Sequence, residues 1–197
     1  MNNELELKLQ EDFPFMKQNR VRGERNAYKR FGCECKSGWY NLIHDLCQEI
    51  TEKYTEHQLP VDIVVLQVKE KFATLRFYYE YEDTPCALQA FDFIGNGKSI
   101  RFNSDNLEEE PKQRLRKEIA AIVRKYEKKS ASVCEICGMD NAERRNMSKY
   151  YVRTVCNKCY EEYLSKKNKN FFRSIGITPG ECFVSNQKHT LLTQREL

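Results

Sequence analysis

Apolar residues three or four positions apart run through two stretches of the chain, residues 40–54 and residues 108–129. This spacing places them on one face of an α-helix. Ser37 precedes the first stretch and suits an N-cap, and Pro111 suits the first turn of the second. We therefore predict two amphipathic helices that pack their apolar faces on one core.

Alternating and β-branched residues predict two β-hairpins between these helices. Residues 61–69 and 74–81 are rich in valine, tyrosine and phenylalanine and form the first pair of strands. Residues 88–94 and 98–103 flank Asn96-Gly97, a dipeptide that is a strong hairpin signal. We expect an α+β fold in which a four-stranded antiparallel sheet is packed by two helices.

Two cysteine pairs predict one metal site. Cys134 and Cys137 enclose two residues, as do Cys156 and Cys159, and 18 residues separate the pairs. This spacing is typical of four-cysteine zinc sites, because a two-residue gap lets two thiolates face one ion from a tight turn. Gly138 follows the first pair and supplies the positive φ that such a turn needs. We predict a treble-clef or zinc-ribbon module with one Zn²⁺.

We expect the zinc to be structural. Four thiolates fill a tetrahedral shell, whereas a catalytic zinc keeps an open position and takes histidine or carboxylate ligands. The cysteine spacing resembles the zinc frame of HNH nucleases, but residues 138–155 contain none of the catalytic histidines of those enzymes. No serine–histidine–aspartate, cysteine–histidine or paired-carboxylate pattern stands out elsewhere. The sequence therefore favours a protein that is not an enzyme.

Composition favours a protein of the cytoplasm. Of the 197 residues, 40% are hydrophobic and 31% are charged. No apolar run reaches the length of about 18 residues that a membrane span needs. Nine cysteines are an odd number, and the chain starts with an acidic segment, so a secreted disulfide scaffold is not indicated. The net charge of +4 is too small to indicate a nucleic-acid partner by itself.

The order of these segments predicts three parts. Residues 1–132 form an α+β domain with a helix, two β-hairpins and a second helix. Residues 133–168 form the four-cysteine zinc module, in which residues 150–155 are a strand and residues 160–167 a short helix. The remaining residues, 169–197, form a weakly patterned C-terminal tail.

Aromatic and basic residues of the first domain mark one candidate ligand surface. Arg76 and Tyr78 alternate with core positions and share the polar face of their strand with Thr74. Together with Trp39, they suit a small anionic aromatic ligand, since rings stack on rings and guanidinium groups bind phosphates. The alternative is that these aromatic residues belong to the core.

Basic residues of the zinc module and of the second hairpin are candidate phosphate contacts. Arg144, Arg145 and Arg153 belong to a module that holds more basic than acidic residues. The alternative is that this module docks on another part of the protein. Lys98 lies in Gly95-Asn96-Gly97-Lys98-Ser99, where Asp92 stands in place of the first P-loop glycine. We interpret that segment as a hairpin turn whose amides and lysine contact an anion.

A second metal site is a further hypothesis. Cys33, Cys35, His44 and Cys47 lie near one another in the sequence. However, two cysteines separated by one residue are an uncommon chelating pair, and Cys47 lies beside the apolar stripe of its helix. Core packing is the better interpretation of Cys47.

Three motifs extend across most of residues 31–160. They are Cys35-x-x-Gly38-Trp39-Tyr40-x-Leu42-Ile43, Val65-Leu66-Gln67-Val68-Lys69-Glu70-Lys71-Phe72-x-x-Leu75-Arg76-Phe77-Tyr78, and Cys134-Glu135-x-Cys137-Gly138 with Arg153-Thr154-Val155-Cys156-x-x-Cys159. Together they resemble uncharacterised small proteins of bacteriophages and prophages. Ala73 and Thr74 depart from that likeness, since glycines are expected there, and residues 82–107 resemble an insertion. The resemblance implies a phage setting and a C-terminal zinc ribbon, and it implies no activity.

These patterns lead to one main hypothesis and two alternatives. We expect a non-enzymatic phage accessory protein that binds a nucleotide or a nucleic acid and counters a bacterial defence in the cytoplasm of the host. The first alternative is an inhibitor that docks on a host protein through residues 82–107 or through the tail. The second is an enzyme whose site the sequence does not reveal. The oligomeric state is left open.

Overall fold

A computed structural model describes residues 1–18, 26–83 and 111–167, together with the backbone of residues 93–95, 98–100, 110 and 168–174. One compact unit runs from Met1 to Cys156, and a second begins at Asn157. The first part of the predicted zinc module thus belongs to the same unit as the α+β domain. The proposed division at residue 132 into separate domains stays a prediction.

Five α-helices and three 3₁₀ turns are present in the described residues. The helices are α1 (Asn3–Asp12), α2 (Ala27–Phe31), α3 (Tyr40–Glu56), α4 (Glu110–Lys129) and α5 (Asn157–Ser174); the 3₁₀ turns are Pro14–Met16, Ser37–Trp39 and Ser130–Ser132. Helices α3 and α4 confirm the two amphipathic helices predicted from the apolar spacing. Helix α5 is the described part of the second unit and is longer than the helix predicted there.

The α+β class is confirmed, but the sheet differs from the predicted one. Strands β1 (Cys33–Glu34), β2 (Ile63–Lys71) and β3 (Thr74–Tyr81) form a mixed sheet in the order β1-β2-β3. Strand β1 runs parallel to β2, while β2 and β3 form the predicted antiparallel hairpin. The prediction of one four-stranded antiparallel sheet is therefore wrong for the described residues.

The other strands form two separate hairpins. Strands β4 (Phe93–Gly95) and β5 (Lys98–Ile100) pair with each other in a two-stranded sheet of their own, so the second predicted hairpin exists but does not extend the first. The outer parts of the predicted strands at 88–92 and 101–103 lie outside the described residues, as do residues 175–197 of the tail. Strands β6 (Glu143–Ser148) and β7 (Tyr151–Val155) form the third hairpin.

Two helix caps in the first 40 residues differ from the sequence prediction. Helix α1 is capped by Asn2, whose side-chain oxygen accepts a hydrogen bond from the backbone N–H of Leu5 at 3.0 Å. The predicted N-cap role of Ser37 is wrong, because Ser37 begins a 3₁₀ turn and α3 starts at Tyr40 without a side-chain cap. The Ser37 hydroxyl instead accepts from the backbone N–H of Asn2.

The apolar faces of α3 and α4 meet the sheet in one buried cluster. Leu46 and Ile50 of α3, Ile119 of α4, and Val65 and Phe77 of the sheet are fully buried in it. Burial of such side chains is the main favourable term in folding. The stripes that predicted the helices are therefore also the surfaces that hold them on the sheet.

Two side chains cover the free edge of β3: that of Glu127, in the last turn of α4, and that of Ser130, just after the helix. The backbone N–H of Leu75 donates to the hydroxyl of Ser130 at 2.8 Å, and that of Phe77 donates to the carboxylate of Glu127 at 3.0 Å. An uncovered edge strand would expose these donors to pairing with another chain. Ser130 is fully buried and belongs to the 3₁₀ turn that leads into the cysteine segment.

We predict that Ser130→Ala lowers the free energy of unfolding by about 1–3 kcal/mol, because it leaves the buried N–H of Leu75 without an acceptor. Urea denaturation followed by circular dichroism measures the change. The matched control is Ser132→Ala, since the exposed hydroxyl of Ser132 donates to the carbonyl of Lys129 within the same turn. A loss no larger than that of the control would contradict the edge-covering role.

Candidate metal centre and basic hairpin

The four cysteines predicted from the sequence lie together. The sulfur atoms of Cys134, Cys137, Cys156 and Cys159 are all within 4.8 Å of one another. The sulfurs of Cys137 and Cys156 are 3.6 Å apart, too far for a disulfide bond and close to the edge of about 3.8 Å that tetrahedral metal–thiolate bonds of about 2.3 Å require. The donor set therefore fits a metal ion held by four thiolates.

Backbone amides around the first cysteine pair favour the thiolate form. Burial raises the pKa of Cys134, but N–H groups of Cys137, Cys156 and Ile136 point at its sulfur and lower the pKa to about 7, from an ordinary value of 9.0. Gly138 has a φ of 79°, as predicted, and its N–H donates to the carbonyl of Cys134 at 2.9 Å. Backbone N–H groups of the loop thus stabilise the thiolate form of Cys134, which is the form that binds a metal ion.

This cysteine loop packs directly on the turn that precedes α3. The backbone N–H of Gly38 donates to the carbonyl of Glu135 at 2.9 Å. A Cβ atom at Gly38 would lie 2.5 Å from the carbonyl oxygen of Cys134 and 2.7 Å from the amide nitrogen of Cys137. A Cβ at Gly138 would in turn lie 2.9 Å from the carbonyl oxygen of Gly38. Only glycine allows the two backbones to approach this closely at Gly38.

Trp39 continues this contact instead of facing a ligand. Its ring is fully buried, and its indole N–H donates to the carbonyl of Val133 at 2.8 Å. The ring therefore has no free face on which a base or nucleotide could stack. We remove Trp39 from the set of candidate ligand contacts and assign it to packing between the α3 turn and the cysteine segment.

Three buried polar side chains hold the cysteine segment against the sheet domain. They are Ser130, Glu135 and Thr154, the polar residues found buried in the described part of the chain. The hydroxyl of Thr154 donates to the carbonyl of Ala73 at 2.6 Å, and the carboxylate of Glu135 accepts from the backbone N–H of Lys36 at 3.0 Å. We call Ser130, Glu135 and Thr154 the polar clamp.

Glu135 is paired with one of the predicted phosphate contacts. Burial raises the pKa of Glu135, while Arg153 and the N–H of Lys36 lower it. The guanidinium of Arg153 lies 3.4 Å from the Glu135 carboxylate, is 17% exposed and also contacts the hydroxyl of Tyr151. Arg153 is therefore committed to neutralising a buried charge, which makes it a poor phosphate contact.

The β6–β7 hairpin carries the other predicted basic residues. Arg145 lies opposite Arg153 in the register and pairs with Glu143 at 3.0 Å. Arg144 is exposed. Lys149 and Tyr150 lie between the two strands, and Tyr150 is 88% exposed with the Lys149 ammonium 5.3 Å from its ring centre. The exposed basic and aromatic groups are thus concentrated at one side and at the tip of this hairpin.

The other candidate contacts are distributed as follows. Arg76 and Tyr78 are on one face of β3, as predicted, and Arg76 is half-buried. Tyr78 is only 8% exposed, and the ammonium of Lys69 lies over its ring. Lys98 begins β5, but its side chain lies outside the described residues. Arg76 thus remains accessible in part, whereas Tyr78 has little surface left for stacking.

The hypothesis of a second metal site finds no support in the described residues. The four-cysteine cluster is the only group of metal-ligating side chains that those residues bring together. His44 lies instead 3.4 Å from the carboxylate of Asp12. Burial raises the pKa of Cys33, of Cys47 and, to about 12, of Cys35. These three cysteines are neutral thiols in the core.

No family model, curated protein or solved structure matches the chain in the comparisons made. The resemblance to phage proteins therefore stays a prediction. Among the described residues, no helix has both the length and the apolar character needed to cross a membrane.

We predict that Gly38→Ala lowers the free energy of unfolding by about 1–3 kcal/mol and weakens metal retention, because the new methyl group overlaps the backbone of the cysteine loop. Urea denaturation and metal content after dialysis measure the two effects. Ser37→Ala, one residue away, is the control: it removes only the exposed hydrogen bond from the N–H of Asn2, so it should lower the free energy of unfolding by less and leave the metal content unchanged. Full stability and full metal content in Gly38→Ala would show that the loop does not pack on this turn.

We also predict that Cys134→Ser abolishes metal binding and shifts the fluorescence of Trp39 to longer wavelength, because the Val133 carbonyl moves away from the indole when the loop loses its ion. Trp39 is the chain's one tryptophan, so the emission has a single source. Cys47→Ala is the control, since Cys47 is buried outside the cluster and should leave metal content unchanged. Unchanged emission in a metal-free Cys134→Ser protein would contradict the coupling.

Proposed function

We propose that the chain is a non-enzymatic binding protein in which one structural Zn²⁺ supports a hairpin that contacts nucleic acid. Four thiolates in tetrahedral reach are the donor set that structural zinc sites use. Zinc here has no part in a reaction, since all four of its positions are taken by the protein. Its role is to hold the cysteine loop and the end of β7 in place.

The observation that carries the nucleic-acid proposal is the tip of the β6–β7 hairpin. Lys149 and Tyr150 project from a short turn, and the tyrosine ring is almost wholly exposed. An aromatic ring in this position contributes little to a core, whereas it provides a surface on which a base can stack. The adjacent ammonium group supplies the phosphate attraction that accompanies such stacking.

The charges along the hairpin sort its residues into two groups. Arg145 and Arg153 are each paired with a carboxylate of the protein, Arg145 with Glu143 of its own strand and Arg153 with Glu135 of the cysteine loop. Arg144 and Lys149 are exposed, so a phosphate can approach them without breaking an ion pair of the polar clamp. We therefore narrow the proposed contacts from the three arginines of the sequence prediction to Arg144, Lys149 and Tyr150.

A nucleotide bound at Arg76 and Tyr78 receives less support, because Tyr78 is buried. The phage setting and the counter-defence role rest on the sequence resemblance, and the nucleic-acid proposal does not depend on them. The oligonucleotide-binding experiment described next also tests the alternative of a host-protein inhibitor, because such an inhibitor would not need to bind an oligonucleotide.

We predict that the zinc-loaded full chain binds a fluorescein-labelled, mixed-sequence single-stranded oligonucleotide, and that Tyr150→Ala weakens this binding about tenfold through lost stacking. Lys149→Ala should lower the slope of log affinity against log salt by about 1, because one phosphate contact is lost. Fluorescence anisotropy over a salt series measures both quantities.

The control for charge is Lys8→Ala, an exposed lysine on α1 away from the hairpin. It should leave both the affinity and the salt slope unchanged. Equal weakening by Lys8→Ala and Lys149→Ala would mean that binding follows overall charge, and the absence of binding at low salt would overturn the proposal in favour of a protein partner.

A further inference from the structure

A second hairpin turn repeats the arrangement found at Tyr150. Phe72 lies at the β2–β3 turn, is 53% exposed, and has the ammonium of Lys71 at 5.6 Å from its ring centre. At the β6–β7 turn, Lys149 precedes Tyr150 in the same way, at 5.3 Å. Both hairpins therefore present an exposed ring beside the ammonium of the preceding lysine.

The backbone at Phe72 is unfavourable for a large side chain. Phe72 and Ala73 have φ values of 54° and 65°, as a two-residue hairpin turn of the type favoured by Asn-Gly requires. Side chains with a Cβ adopt this region at a cost in free energy, and bulky ones do so rarely. Glycine would form the same turn with less strain.

Hydrogen bonds and burial explain why Ala73 lies in this turn, but packing in the core does not explain Phe72. The N–H of Ala73 donates to the carboxylate of Glu70 at 2.6 Å, and the carbonyl of Ala73 accepts a hydrogen bond from the hydroxyl of Thr154. Ala73 itself is buried, whereas Phe72 is about half exposed. A strained, exposed aromatic residue indicates a role other than folding.

The polar clamp brings the two turns close to each other. The 2.6 Å hydrogen bond from Thr154 to Ala73 fixes the β2–β3 turn against β7. Tyr150, just before β7, is four residues from Thr154, which corresponds to about 13 Å along a strand. A chain of a few nucleotides can therefore span from the Phe72 turn to the Tyr150 turn.

We propose that Phe72 is a second base-stacking platform and that the ligand of this surface is single-stranded nucleic acid. This inference rests on the nucleic-acid function proposed above and adds the strandedness of the ligand. Two separate rings can each take a base only when the bases are free of a duplex. The lysines beside both rings then contact the phosphates between the stacked bases.

The test uses Phe72→Gly in the zinc-loaded full chain. Glycine tolerates the positive φ, so the melting temperature should stay the same or rise, while the affinity for a single-stranded oligonucleotide should fall about tenfold. Phe72→Tyr should restore wild-type affinity, since it keeps a ring. A duplex of the same sequence should bind more weakly than the single strand and should not respond to either variant.

The matched control is Phe31→Ala. Phe31 is 60% exposed on α2 and has the guanidinium of Arg30 over its ring at 5.4 Å, yet it lies at neither hairpin turn. It should leave the affinity unchanged. An equal loss in this control, or a lower melting temperature in Phe72→Gly, would overturn the inference.

The two proposals fail in different ways. If Tyr150→Ala weakens binding and Phe72→Gly does not, the second platform is wrong and the nucleic-acid function stands. Tight duplex binding that depends on Phe72 would also overturn the inference. If no oligonucleotide binds at all, the proposed function fails and the inference with it.

Discussion

The polar clamp is the interaction on which the rest of the structure depends. Ser130, Glu135 and Thr154 each use a buried polar group to join the cysteine segment to a different part of the sheet domain. A buried polar group without a partner costs more than its hydrogen bond contributes, so the loss of any one of the three contacts destabilises the junction. The close approach of Gly38 to the cysteine loop belongs to the same junction.

The clamp connects the four-cysteine cluster with the proposed binding surface. We propose that a metal ion held by the cluster orders a loop too small to form a core of its own, and that the clamp transmits that order to the β6–β7 hairpin and to the β2–β3 turn. Arg153 takes part by neutralising Glu135, which leaves Arg144 and Lys149 for external partners. The proposed zinc ion would therefore be structural, and it would affect ligand binding only by holding the β6–β7 hairpin in place.

Local pattern in the sequence was sufficient for the long elements and the metal ligands. Helices α3 and α4 follow from their apolar spacing, the β2–β3 hairpin from alternation, and the cysteine cluster from a doubled spacing. The clamp was beyond prediction because its partners are far apart in the chain: Lys36 and Glu135 are separated by 99 positions. The parallel strand β1 was missed for a related reason, since two residues carry no periodicity. The one local clue was Ala73, which lies in the two-residue turn at a position where the resemblance leads to the expectation of glycine.

Hydrogen–deuterium exchange of the full chain, with the metal bound and after its removal by a chelator, measures how far the cysteine centre stabilises this junction. We predict that metal removal accelerates exchange at the amides of Gly38 and Lys36 as well as along β6 and β7, because all of them are held by the metal-ordered loop. Amides in the middle of α3 should keep their protection, since the apolar core does not include the metal. Unchanged exchange at Gly38 and Lys36 in the metal-free protein would contradict the claim that the cysteine centre holds this junction together.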